Sequence, residues 1–86
     1  MNAQPIQINL LNHHAAKRLR QLREQLKLSR PKFAAQLGIP PTTLKNYELG
    51  YREIGGGLFL RIANHPELKR HVDWLLTGIA TPELQA

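Results

Sequence analysis

Two short segments, each with a proline near its start and a glycine at its end, constrain the fold most strongly. The first opens with Ser29 and Pro31 and closes at Gly38, and the second begins at Pro41 and closes at Gly50. Serine caps helix N-termini, proline is tolerated in a first helical turn, and glycine adopts the left-handed conformation that ends helices. Two short helices joined by a turn of three or four residues that contains glycine form a helix-turn-helix.

The periodicity of the remaining residues predicts an all-α chain of five short helices. Asn12 is the expected cap of a first helix that carries one apolar stripe and ends near Lys27, and the third helix runs to about Leu49. A flexible loop is expected through Gly55, Gly56 and Gly57. The fourth helix is predicted over residues 58–64 and the fifth over residues 67–76. The expected division is an N-terminal arm (1–11), a helical domain (12–78) and a tail (79–86). In the arm, Ile6, Ile8 and Leu10 alternate with polar residues, which fits either a short strand that pairs with a second subunit or a frayed arm.

Length and residue inventory exclude several classes of protein. A chain of 86 residues predicts one small domain, and the absence of cysteine excludes disulfide scaffolds and cysteine-based zinc sites. The single serine, Ser29, and single aspartate, Asp73, leave few catalytic sets, so we expect no enzyme, no cofactor and no metal site. No apolar run approaches the ~20 residues of a membrane span. We therefore expect a soluble, cytoplasmic protein.

The positive charge of the chain is concentrated in one segment. The net charge is +6, with 12 Lys and Arg against 6 Asp and Glu. Residues 17–32 contain seven basic side chains against one acid, Glu24, so this segment accounts for the whole excess. Such a distribution favours nucleic acid or another anionic surface as the partner. Three of the seven are expected to contribute only long-range attraction: Arg18, Arg20 and Lys27.

The second helix of the motif leaves a small polar face opposite its apolar side. Leu44 and Tyr47 point towards the core, which places Pro41, Thr42, Lys45, Asn46 and Leu49 on the other side. An asparagine amide pairs with adenine, a lysine donates to guanine or a phosphate, and a threonine methyl contacts a thymine methyl. These side chains fit the major groove, although a merely solvated surface is the alternative.

Phosphate contacts are expected beside this face. Arg30 and Lys32 lie at the start of the second helix, where the helix dipole and free N–H groups favour an anion. Tyr51 and Arg52 follow the third helix and either reach the DNA backbone or remain in solvent.

The order of these motifs resembles the phage repressor/Cro-type (XRE) helix-turn-helix regulators. The resemblance extends from about Leu19 to Gly78 and is carried by Phe33-Ala34, Leu37-Gly38-Ile39, Tyr47-Glu48-Leu49-Gly50 and residues 72–78. It implies a compact lambda-repressor-like domain. It further implies base contacts from Pro41, Thr42 and Asn46 with Lys45 between them, a phosphate contact from Arg30, and a buried ion pair between Arg23 and Glu48.

The expected function is binding of double-stranded DNA by a homodimer at a palindromic operator, through the recognition helix Pro41–Leu49. Repression is the expected outcome by analogy with the family. An antitoxin of the same fold, which binds a partner toxin and represses its own gene, remains the alternative. A membrane-binding basic peptide is disfavoured because Leu19, Leu22 and Leu26 have a core to enter.

Overall fold

A computed structural model of the chain describes residues 7–79 and contains five α-helices. They are α1 (Ile8–Gln25), α2 (Arg30–Leu37), α3 (Pro41–Glu48), α4 (Gly56–Ala63) and α5 (Val72–Thr77). A 3₁₀ turn (Lys69–His71) leads into α5, and the described residues include no strand. The prediction of a five-helix, all-α domain is confirmed. Within residues 7–79, none of the helices is both long and apolar enough to cross a bilayer.

The core lies where α1 crosses α3 and α5, with α2 and α4 closing its other sides. Its largest fully buried side chains come from every α-helix: Leu19, Leu22, Phe33, Leu37, Leu44, Ile62 and Leu75. Complete burial of one such side chain stabilises the fold by about 1.5–3 kcal/mol. This core fixes the positions of α2 and α3, the two helices of the helix-turn-helix, relative to α1.

The first helix begins earlier than the sequence indicated. It starts at Ile8 after Gln7, whose side chain makes no capping hydrogen bond. Residues 8–11 are therefore helical, which excludes for them both alternatives considered above, a strand and a frayed arm. Asn12, the expected cap, lies inside α1, and its Oδ1 accepts a hydrogen bond from the Ile54 backbone N–H at 2.9 Å. The Asn12 side chain therefore makes a tertiary contact instead of the capping hydrogen bond that the local sequence predicted. Residues 1–6 of the predicted arm and residues 80–86 of the predicted tail lie outside the described residues.

The C-terminal half also differs from the expected helix bounds. Gly56 and Gly57 form the first turn of α4, so the predicted loop ends at Gly55. The predicted fifth helix is divided because His65 Nδ1 accepts the backbone N–H groups of Glu67 (3.1 Å) and Leu68 (3.2 Å). These bonds hold a turn ahead of the 3₁₀ segment, and the regular helix starts only at Val72.

Candidate nucleic-acid interface

The turn between α2 and α3 is held by backbone geometry at Gly38. Gly38 has φ 69°, its N–H donates to Ala35 O at 3.2 Å, and the Ile39 N–H donates to Ala34 O at 3.0 Å. This pair of bonds is the Schellman arrangement, which satisfies the last carbonyls of a helix. The Arg61 guanidinium donates to Leu37 O at 3.3 Å and occupies the space that a side chain at position 38 would need. The direction in which α3 leaves the turn is therefore fixed by the fold.

The third helix buries one side and presents the other to solvent. Leu44, Tyr47 and Glu48 are buried, whereas Pro41 and Lys45 are exposed. Two further side chains complete the outer face that the sequence predicted: Thr42, which is exposed, and Asn46, which is half-buried. Pro40 precedes the helix and supplies no side-chain cap, so no side chain among residues 7–79 accepts a capping hydrogen bond at the N-terminus of α3. The outer face is thus short, lightly charged and close to a helix N-terminus.

A buried carboxylate holds the inner side of α3 to two arginines. The Glu48 side chain is 0% exposed and accepts hydrogen bonds from Arg23 Nε (2.7 Å) and Nη2 (3.1 Å) and from Arg30 Nε (2.9 Å). Arg23 Nη1 also donates to Leu28 O at 3.1 Å. The hydrogen bond to Glu48 raises the pKa of Arg23, with the nearby negative charge acting in the same direction. The resemblance implied a pair of Arg23 with Glu48, whereas the structure brings together three side chains from α1, α2 and α3.

Arg30, for which the sequence predicted a phosphate contact, takes part in this cluster. Its Nε binds Glu48, its side chain is 29% exposed, and its Nη atoms make no hydrogen bond within residues 7–79. Two residues on, Lys32 is exposed, and its backbone N–H donates to Ser29 Oγ at 3.4 Å. The cluster of Arg23, Arg30 and Glu48 has a net charge of +1, because two guanidinium groups share one carboxylate.

The loop after α3 contributes two exposed side chains. Tyr51 is 75% exposed, and the Arg52 guanidinium lies 5.5 Å from the centre of the Tyr47 ring. A cation over an aromatic face is attracted by the ring quadrupole. Arg52 is thus held against the end of α3, while Tyr51 projects into solvent.

Arg18 is structural, and the expectation that it supplies only long-range attraction is wrong. Its Nε donates to Leu75 O at 2.9 Å, at the end of α5, and burial lowers the pKa of Arg18. No local sequence pattern predicts this hydrogen bond, because the two residues are 57 positions apart. Three of the seven basic side chains in residues 17–32 thus make part-buried hydrogen bonds to carbonyl or carboxylate oxygens. The other four are exposed: Lys17, Arg20, which lies 3.5 Å from the exposed Glu24 carboxylate, Lys27 and Lys32.

Comparison with known proteins identifies the family. A sequence model described as helix-turn-helix matches residues 19–71, from the middle of α1 to the end of the 3₁₀ turn and more than half of the chain. Neither curated proteins nor solved structures give a match. The chain belongs to the XRE-type helix-turn-helix family and is a DNA-binding transcriptional regulator.

Proposed function

We propose that the protein is a sequence-specific regulator that binds a palindromic DNA operator as a homodimer. The recognition helix is Pro41–Leu49, that is, α3 together with its C-cap residue. The observation that carries the proposal is the fixed position of α3. On its inner side, the buried Glu48 carboxylate connects α3 to an arginine of α1 and an arginine of α2, while Pro41, Thr42 and Lys45 face solvent.

Base reading is assigned to four side chains of α3 by their chemistry. Asn46 donates to adenine N7 and accepts from its N6 amino group through one planar amide, Lys45 donates to guanine or a phosphate, and the Thr42 methyl packs on a thymine methyl. Pro41 makes apolar contact at the start of the helix. Since a good bidentate contact discriminates between bases by about 1–3 kcal/mol, Asn46 supplies the largest share of sequence preference.

Phosphate contacts are assigned to the residues that surround this face. Arg30 keeps Nε on Glu48 and uses its Nη atoms for a phosphate, which links DNA binding to the position of α3. Lys32 adds a charge at the same helix start, and Tyr51 and Arg52 contact the backbone from the loop. Such contacts set register and orientation without reading sequence.

The homodimer is supported by apolar side chains left in solvent. Ile8, Leu11 and Leu76 are each about half exposed and border one depression together with Ile54 and Phe59. Exposed apolar patches mark contacts with other proteins. A two-fold dimer binds two half-sites about one helical turn, or ~34 Å, apart, which makes the operator palindromic. Occupancy of such a site in the cytoplasm represses transcription by excluding polymerase.

The proposal is tested by DNA binding of two variants with different expected effects. Fluorescence anisotropy on operator duplexes selected from a random library is compared with binding to unselected duplex. We expect Asn46→Ala to lose preference at one base pair per half-site, and Lys32→Ala to weaken binding to all sequences alike. Wild-type protein that binds selected and random duplexes equally would contradict the proposal. A protein that is monomeric alone and co-purifies with a toxin would favour the antitoxin alternative.

A further inference from the structure

A groove runs between α1 and the end of the recognition helix, and the residues of its α1 wall have no role in the function proposed above. One wall is the α1 face that carries His13, Lys17, Arg20 and Gln21, and the other is formed by Leu49 and Gly50. An adjoining depression shares His13 and Gly50 and continues along the loop to Tyr51 and Arg52. The two together form a continuous channel, which we name the α1 groove, from the first helix to the loop after α3.

The charge of the α1 groove favours an anion. Lys17, Arg20 and Arg52 are exposed cations along it. Of the two acids that line it, Glu48 is fully buried and already bound by two guanidinium groups. The other, Glu53, is exposed at the far end of the groove. Three exposed cations therefore face one uncompensated carboxylate.

One further carboxylate lies near the groove without lining it. Arg20 Nε is 3.5 Å from a Glu24 carboxylate oxygen, and both side chains are more than half exposed. An exposed pair of this kind on one helix is weak and is screened by salt. A polyanion with many neighbouring negative charges can therefore displace Glu24 from Arg20.

We propose that the α1 groove binds the sugar-phosphate backbone of the operator beside the recognition helix, with Lys17 and Arg20 as phosphate contacts. This inference rests on the proposed function. The groove wall includes Leu49, the C-cap of α3, so the groove is continuous with the end of the recognition helix. Lys17 and Arg20 are three residues apart and share one side of α1, which lets both side chains reach the same strand. An acidic protein is the other class of anionic partner, and the continuity with α3 favours DNA.

The test compares two double variants that remove the same charge. Lys17→Ala with Arg20→Ala removes the groove cations, and Lys69→Ala with Arg70→Ala removes a matched, exposed pair from the 3₁₀ turn, which packs on α4 and α5. Each phosphate contact adds about 0.9 to the slope of log affinity against log salt. We expect the groove variant to lower that slope by about 3.6 on operator and on random duplex, because a bound dimer loses two phosphate contacts in each subunit, while the control variant leaves it within about 0.5 of wild type.

A third variant tests the displacement of Glu24. Glu24→Gln keeps the size of the side chain and releases Arg20, so operator binding should tighten by about twofold at low salt, as expected for a weak exposed pair. Circular dichroism and urea unfolding check that every variant is folded.

The outcomes separate the groove from the proposed function. Wild-type protein that binds operator no better than random duplex overturns the proposed function itself. Specific wild-type binding combined with equal salt slopes for the two double variants overturns the groove proposal alone. A Glu24→Gln variant that binds operator more weakly than wild type also contradicts it, because a phosphate on Arg20 requires the departure of Glu24.

Discussion

The buried carboxylate of Glu48 gives the sharpest test of how the recognition helix is held. Glu48→Gln keeps the shape of the side chain and removes its charge, which leaves Arg23 and Arg30 without an anionic partner. Removal of one member of a buried ion pair costs about 3–5 kcal/mol. The Arg23 and Arg30 side chains retain 13% and 29% exposure, so water partly resolvates them, and the amide oxygen still accepts one bond. We therefore expect a loss of about 2–4 kcal/mol.

That loss is large relative to the stability of a small domain. A chain of this length has a free energy of unfolding of about 4–13 kcal/mol, and a loss of 2 kcal/mol lowers the thermal midpoint by at least about 8 °C. Urea unfolding at pH 7 measures the change. The matched control is Glu24→Gln, which removes the same charge from an exposed pair at 3.5 Å and should cost less than about 0.5 kcal/mol. If the two variants differed by less than about 0.5 kcal/mol, Glu48 would not hold the helix.

The two arginine partners should differ in their contributions. Arg23 makes two hydrogen bonds to Glu48 and one to Leu28 O, whereas Arg30 makes one bond through Nε and is more exposed. Arg23→Gln should therefore destabilise the fold more than Arg30→Gln does, and Arg30→Gln should mainly reduce DNA affinity. The reverse order in urea unfolding would show that Arg30 is the main structural partner.

Three further predictions concern backbone conformation and pH. Lys27 has φ 57°, a left-handed conformation that costs a side chain about 1–2 kcal/mol, so Lys27→Gly should raise the urea midpoint, and a lower midpoint would contradict this reading. Gly38→Ala should destabilise the fold slightly more than Gly50→Ala. Both positions have positive φ, but only a methyl group at position 38 displaces the Arg61 guanidinium from its hydrogen bond to Leu37 O, and equal midpoints would exclude that contribution. Burial, and then the charge of Arg70, lower the pKa of His71, so its contribution to stability is complete above the unfolded value of about 6.5 and is lost as the pH falls through the folded value. Thermal midpoints between pH 7.5 and pH 5 should fall less steeply in His71→Gln than in wild type, and parallel curves would refute the assignment.

The helix-turn-helix could be predicted because its signals are local. Ser29 and Pro31 open α2, Gly38 ends it and Pro41 opens α3, and each acts through its own backbone geometry or hydrogen bonds within a few residues. The apolar spacing then determines which side of each helix is buried. Neither inference required knowledge of a distant contact.

The features that sequence did not reveal depend on distant contacts. Arg18 bonds Leu75 O, Arg30 bonds Glu48, and Arg61 bonds Leu37 O, across 57, 18 and 24 positions. The sequence shows that each of these side chains is charged. It does not show whether the partner of each guanidinium is a carbonyl, a carboxylate or solvent. The early start of α1 is a similar case, because Asn12 Oδ1 accepts a hydrogen bond from the distant Ile54 N–H instead of capping a helix.

Selection of duplex DNA from a random library tests the central claim most directly. Wild-type protein should enrich a two-fold symmetric site with half-site centres about one helical turn, or ~34 Å, apart. Asn46→Ala should enrich the same site with one base pair per half-site relaxed. Absence of enrichment by wild-type protein, or an unchanged base preference in Asn46→Ala, would contradict recognition through the exposed face of α3.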